Sequence, residues 1–501
     1  MQEEVGGGAA RQEGSEEGGG LAYAWMRVPA RSRTSIVIFT LCLFVYTLLL
    51  LVFPRYKGSP TTRGDEPHYL IITESVIRDG DLDLENNYEL EQYASYFEQD
   101  IMMLHVTRDN VSTHPMFLSL LVLPGFRLLG YKGAALTMIL LTCGAAALTF
   151  ATADRFASRK VAGGVTLFGF LSYPLLFYSR SIYPETAAIF LLALGTWSCW
   201  RLKESGQPTF AFLGGLSAGM VVLFHPKYIA ISIALFVLFL IVTPGRTRRL
   251  LGWWLLPAAL SLALLLLLTG ITYGPNLLKG LTASGGSKFQ GGFWGTNSVW
   301  GIPGLFLDRA WGLLIFAPLY LLSPIGLALQ NNRLEWERWW AFFPLCIGLH
   351  ALFLGTFQSW NGGAAPVQRY LVPLVPLLLI CVAVFIDRCA SRVAHGAAAA
   401  FALLQIIVSI WAFRFMVGTY GMENTDNIFF VHFLGEGAVK RFLMFVFPLY
   451  HPGSPGAVLL TVAWILLYAA AIYAARRYYL SHGGGRVSPI VDIRPFRRLA
   501  S

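Results

Sequence analysis

"SIVIFTLCLFVYTLLLLVFPRYKGSPTTRGDEPHYL", residues 35–70, sets a long apolar run directly in front of two adjacent carboxylates, Asp65 and Glu66. The run from about 34 to 54 has no charged residue and is long enough to cross a hydrocarbon core of about 30 Å as a helix. Further apolar stretches follow at about 133–153, 161–178, 184–201, 209–225, 228–243, 250–271, 306–329, 339–357, 370–387, 393–416 and 456–475. Of the 501 residues, 55% are hydrophobic and 13% charged, and mean hydropathy is +0.57, which excludes an ordinary soluble domain. The expected fold is all-α and polytopic, with about twelve transmembrane helices (11–13). The stretch "HPMFLSLLVLPGFRLLG" (114–130) is apolar but short and broken by Pro124, so it reads as an interfacial, half-buried helix.

The net charge of +10 does not point to nucleic acid, because the basic residues sit in short loops between apolar runs. Arg27, Arg31 and Arg33 precede the first span. Arg155, Arg159 and Lys160 follow the second, Arg201 and Lys203 the fourth, and Arg246, Arg248 and Arg249 the sixth. Arg333 and Arg338, then Arg388 and Arg392, then Arg476 and Arg477 continue the series. All seven clusters fall on one side, so both termini are expected in the cytoplasm of a multi-pass cell-membrane protein. Residues 1–30, rich in Gly and Glu, read as a disordered cytoplasmic tail without the apolar core of a cleavable signal. Residues 34–475 form the membrane domain, with an outer loop at 55–115, and 476–501 form a basic cytoplasmic tail. The six cysteines lie within apolar runs or at their ends without metal-ligand spacing, and read as small core residues.

Ionisable residues cost about 2.5–3.5 kcal/mol each at the centre of a bilayer on insertion scales, so near spans they turn toward a cavity or a partner. Asp65, Glu66, His114, Arg180, Glu185, His225, Lys227, Asp308, Arg309, Arg369 and Arg414 gather at the outer helix ends with both signs mixed, which suggests a polar cavity opening outward. Asp65 reads either as an N-cap, with Glu66 complementing the helix dipole, or as a base whose pKa is raised by burial or by Glu66. The acidic run "RDGDLDLENN" (78–87) has Leu84 where a calcium loop of the EF-hand type needs glycine, so it reads as a solvated turn. Arg369 enters a span after "SWNGGAAPVQ" and suits two-pronged phosphate binding. His225, Pro226 and Lys227, and Arg180 with "YPE" at 183–185, add polar groups on the same side.

"GDEPHY" after the first span, "IRDGDLDL" behind it, "THPMFLSLLVLPGFRLLG" and "GGAAPVQRYLVPLVPLL" together give a resemblance to the GT-C superfamily of polytopic glycosyltransferases. The likeness is to the family 39 group of aminoarabinose transferases and protein O-mannosyltransferases. It implies inverting transfer of a sugar from a polyprenyl-phosphate donor to an acceptor (lipid, glycan or protein hydroxyl) at the extracytoplasmic face. Asp65, with Glu66, is then the catalytic carboxylate. Tyr69, His114, Arg180, Glu185, His225, Lys227, Arg369 and Tyr370 are the expected substrate-binding set. The family's Lys-Pro-Pro is His114-Pro115-Met116 here, which shifts weight for phosphate binding to Arg369 or Lys227. Glu66 or the acidic run could hold a divalent cation. The competing reading is a multi-pass transporter or lipid flippase, which would favour charges near the midplane over charges at one face.

Overall fold

A computed structural model describes residues 29–52, 62, 64–97, 105–107, 109–274, 298–329, 337–357, 360–362, 369–389, 391–415, 437–447, 450 and 455–482. The terminal tails, most of the Gly-rich 272–305 segment and residues 363–368 lie outside these. The described residues are mainly helical, and the one extended pairing among them is an antiparallel bridge between Val106 and Ser112.

The main helices are α1 (Ala30–Val52), α2 (Glu66–Arg78), α3 (Phe117–Leu129), α4 (Tyr131–Ala153), α5 (Arg159–Phe170), α6 (Pro184–Ser205), α7 (Pro208–Phe224) and α8 (Ile229–Val242). They continue as α9 (Thr247–Tyr273), α10 (Ser298–Leu307), α11 (Glu337–Gly355), α12 (Val375–Arg388), α13 (Arg392–Phe415), α14 (Ala438–Val446) and α15 (Pro455–Ser481). Among the described residues, six helical stretches are long and apolar enough to cross a membrane, and five shorter apolar ones accompany them. Many large apolar side chains of α1, α9, α13 and α15 face outward, as Phe44, Leu260, Ile410 and Leu459 do. Buried charged groups such as Glu66, Glu185 and Lys227 lie inside. That inversion of a soluble protein's pattern is the signature of a polytopic membrane protein.

Two helices form the axis. α12 is buried from Val375 to Phe385, and α6 buries most of its length against α4, α7 and α8. Small residues on α6, including Ala187, Ala188, Gly195 and Ser198, let its neighbours approach. α6 starts at Tyr183-Pro184, with an extended Tyr183 and proline in the first turn, where its missing N–H costs nothing. It stops at Gly206, whose φ of 66° a side chain would disfavour. α7 and α9 touch through glycine: a Cβ on Gly215 would lie 2.0 Å from the Trp254 carbonyl oxygen. All six cysteines are buried thiols.

Two expected spans are broken. The 161–178 stretch ends as α5 at Phe170 and resumes only as a turn at Leu175–Tyr178. Pro174 disfavours helix at Tyr173, whose N–H donates instead to Ser409 Oγ at 2.9 Å. The 306–329 stretch becomes short pieces: the end of α10, Leu313–Phe316, Pro318–Leu322 and Ser323–Ala328. Asp308 breaks it by accepting the Ala310 and Trp311 N–H groups at 2.8 and 2.9 Å, and Pro318 and Pro324 remove further donors. The 114–130 stretch is a helix, α3, that buries one side and turns back along α4 at Gly130.

Candidate active site

Five segment ends converge at one end of the bundle: the start of α2, the start of α6, the 225–228 turn between α7 and α8, the Arg369–Leu374 turn leading into α12, and the 105–114 hairpin before α3. The charged side chains there form a chain of alternating sign. Asp65 Oδ2 pairs with Arg369 Nη1 at 2.8 Å. Arg369 Nε lies 3.3 Å from Glu185 Oε1, and the same oxygen takes Lys227 Nζ at 2.6 Å. Glu185 and Lys227 are buried, and Arg369 nearly so. Tyr370 lies under both cations, 4.9 Å from Lys227 Nζ and 5.3 Å from the Arg369 guanidinium carbon, and Tyr183 takes the guanidinium from another side. The order is set by the fold, since these residues come from four separate segments.

Asp65 occupies the N-cap position of α2, yet its side chain makes no cap hydrogen bond. The capping reading fails because Arg369 takes the carboxylate. The expectation that Asp65 is made more basic is also reversed. Burial pushes its carboxyl up, but Arg369, and after it His114, His105 and His68, pull harder and hold it well below the usual carboxylate range. Glu66 is fully buried and its Oε1 accepts the Ile182 N–H at 2.8 Å. The next residue, Tyr183, receives the Asp65 N–H on its hydroxyl at 3.3 Å. Glu66 therefore fixes the start of α2 against the start of α6.

A histidine cluster borders Asp65. His105 and His114 have ring centroids 4.9 Å apart, and His68 lies 4.3 Å from His105. Tyr69 packs on His114 at 4.8 Å. His68 Nδ1 sits 3.2 Å from the Tyr88 hydroxyl. Burial pushes His114 down to about 3, with Asp65 opposing, and takes His68 well below the ordinary imidazole value, so both rings are neutral at pH 7.

Of the expected set, the fold brings together Asp65, Tyr69, His114, Glu185, Lys227, Arg369 and Tyr370. His225 shapes the Lys227 turn, its Nδ1 accepting the Lys227 N–H at 3.1 Å. Arg180 goes elsewhere, donating from Nη1 to the Leu49 carbonyl in the last turn of α1 at 2.7 Å. The acidic run is a turn, as its sequence suggests: Asp79 accepts from Asn87, Asp81 from Ser75, and Asp83 from the Glu85 N–H. Sequence reasoning missed His68 and His105 as site residues, and named Tyr183 only as part of the YPE turn. His68 lies three residues after Asp65 and was findable on helical spacing, whereas nothing local marks His105.

An apolar groove of about 430 Å³ lies between α7, α8 and α9, lined by Ala218, Val222, Ile229, Leu255, Ala259 and Leu262. Ile229, Leu255 and Leu262 are also exposed on the outside of the bundle, and Ile229 is two residues from Lys227.

No protein-family model matches the chain, and no curated protein matches it. Two solved structures are similar to it. ArnT from Cupriavidus metallidurans in the apo state shares 15% identity, covering 92% of this chain and 75% of that one at a TM-score of 0.47. The same protein bound to undecaprenyl phosphate shares 14%, covering 89% and 74% at a TM-score of 0.45.

Proposed function

We propose that this chain is a membrane glycosyltransferase, moving a sugar with inversion from a polyprenyl-phosphate donor to an acceptor hydroxyl of a lipid, glycan or protein. In this reading the site faces the extracytoplasmic side and both termini are cytoplasmic. The observation that carries it is the chain Asp65–Arg369–Glu185–Lys227, buried at its Glu185–Lys227 end and largely covered at Arg369 and Asp65, at one end of an apolar bundle. A lipid-linked anionic donor needs both parts: cations for the phosphate and an apolar surface for the chain. The apolar groove between α7, α8 and α9, whose Ile229 follows Lys227 by two residues, suits the polyprenyl chain.

Lys227 and Arg369 hold the donor phosphate, Arg369 giving up part of its carboxylate contact to phosphate oxygens. The acceptor oxygen approaches the sugar C1 opposite the phosphate while its O–H donates to Asp65. The new O–C1 bond forms as the C1–O bond to phosphate breaks, and that electron pair leaves with the phosphate, where the two cations stabilise the growing charge. A carboxylate held this low is a weak base, so the proton reaches Asp65 late, once bonding to C1 has made the acceptor oxygen acidic.

The test is purified protein in lipid supplied with a panel of polyprenyl-phosphate sugars. Consumption of one donor, lost in Asp65→Asn, supports the reading, and a protein that consumes none of them sinks it. Sidedness has its own check. Ser95 and Ser481 are both exposed, and in intact cells Ser95→Cys should react with an impermeant thiol reagent while Ser481→Cys should not.

A further inference from the structure

His105 and His114 stand at the mouth of a tight hairpin. Val106 and Ser112 pair across it, the Thr113 N–H donates to the His105 carbonyl at 2.8 Å, and the Thr107 N–H donates to the Val111 carbonyl at 2.8 Å. Asn110 makes the turn at a φ of 56°. The hairpin thus carries two imidazoles to one place, and α2 brings Asp65 to the same place. Ligand atoms of Asp65, His105 and His114, one from each, all lie within 4.8 Å of one another. Nε2 of His114 is buried and has no hydrogen-bond partner among the described residues. A polar atom in that state lacks a partner, and a bound ion would supply one.

We propose that Asp65, His105 and His114 bind a divalent transition-metal ion of the zinc class. Two imidazoles and one carboxylate suit a borderline ion, whereas magnesium and calcium prefer oxygen alone. Metal–ligand bonds of about 2.0–2.2 Å in a tetrahedron set ligand atoms roughly 3.4 Å apart, so the three side chains close by an ångström or so on binding. The carboxylate has two oxygens, so one can serve the ion while Oδ2, paired with Arg369 at rest, takes the acceptor O–H as Arg369 turns to the phosphate. His68, packed against His105, buttresses the ring and is not one of the three.

Charge gives the ion a use. Asp65 and Glu185 cancel Arg369 and Lys227, so the chain of four is neutral before a phosphate arrives. A dication with an open fourth position supplies the missing positive charge and can take water or a phosphate oxygen. That use rests on the proposed transfer reaction, whereas ion binding does not.

The experiment is a Co²⁺ titration of the full chain in detergent after treatment with a chelator, read by visible absorption and by metal content after desalting. The expected result is one equivalent with the intense bands of low-symmetry four-coordinate cobalt, displaced by Zn²⁺. X-ray absorption of the wild-type complex should show two imidazole nitrogens, which assigns the ligands without any variant. His105→Ala and His114→Ala should each weaken binding by on the order of 100-fold, since even outer-shell losses cost 10–100-fold. His395→Ala, on α13, should bind as the wild type does. Wild-type protein without the cobalt spectrum, or a folded His114→Ala protein that binds as tightly, overturns the proposal. Intact ion binding in a protein that transfers no sugar would instead sink the transferase reading alone.

Discussion

Helix α6 carries Glu185 in its first turn and Glu204 in its last, about 30 Å apart. Each glutamate meets two cations at similar distances. Glu185 has Lys227 at 2.6 Å and Arg369 at 3.3 Å, and Glu204 has Arg155 at 2.7 Å and Arg201 at 3.0 Å. Their surroundings differ. The Glu185, Lys227 and Arg369 side chains are 0%, 4% and 12% exposed, whereas Glu204, Arg155 and Arg201 are 27%, 19% and 38% exposed. At the Glu204 end water screens the charges, and the loops are further tied by Asp387 accepting the Ser158 N–H and Arg388 donating to the Leu329 carbonyl. At the Glu185 end the pairs have lost most of their water and stand because each charge answers another. Distance alone would rank the two ends as equals; burial makes one an ordinary solvated cluster and the other a site.

The largest effect expected from this contrast is kinetic. Asp65→Asn should lower sugar transfer by on the order of 10²–10⁴ while the protein remains folded, checked by turnover and melting temperature on one preparation. Retained turnover would reduce the buried charges to structure. Glu185→Ala comes next and should cost about 3–5 kcal/mol by denaturant titration, because it strands Lys227 in the interior. A Glu185→Leu, Lys227→Met double variant should recover most of that stability while transfer stays lost, separating fold from function at this end. Gly215→Ala, at neither end, sets a packing scale: the new Cβ meets the Trp254 carbonyl, and the expected loss is about 1–3 kcal/mol. Glu204→Ala should be smallest, within about 1 kcal/mol, and a loss as large as that of Glu185→Ala would break the comparison.

The helical layout was legible because an apolar run of span length has few alternatives in a bilayer. The exceptions were local. Asp308 reads as a charge near a span, but its carboxylate spends itself on the N–H groups of Ala310, Trp311 and Tyr450, and the helix stops there. The site was legible as a set of residues and illegible as a set of pairs. Asp65 and Arg369 are 304 positions apart, and nothing in the sequence says that Arg369 meets two carboxylates rather than a phosphate first. The same pairing reversed the expected shift of Asp65, since the dominant neighbour is a guanidinium and not Glu66. Arg180, which looks much like Arg369 in sequence, donates to a backbone carbonyl of α1. His105 lies where no period runs, and only the hairpin's hydrogen bonds bring it to His114.

The bond from the Ile182 N–H to Glu66 joins the start of α2 to the start of α6 across 116 positions of chain. That amide is buried, accepted by a buried carboxylate, and one residue from the tyrosine that fixes the Asp65 backbone. Its proton can trade with deuterium only when the two helix starts part. The Glu85 amide, in the exposed acidic turn, needs no such event. Ile182 is thus a built-in clock for opening of the site, and its slowing when donor is added would time how long the two starts stay together.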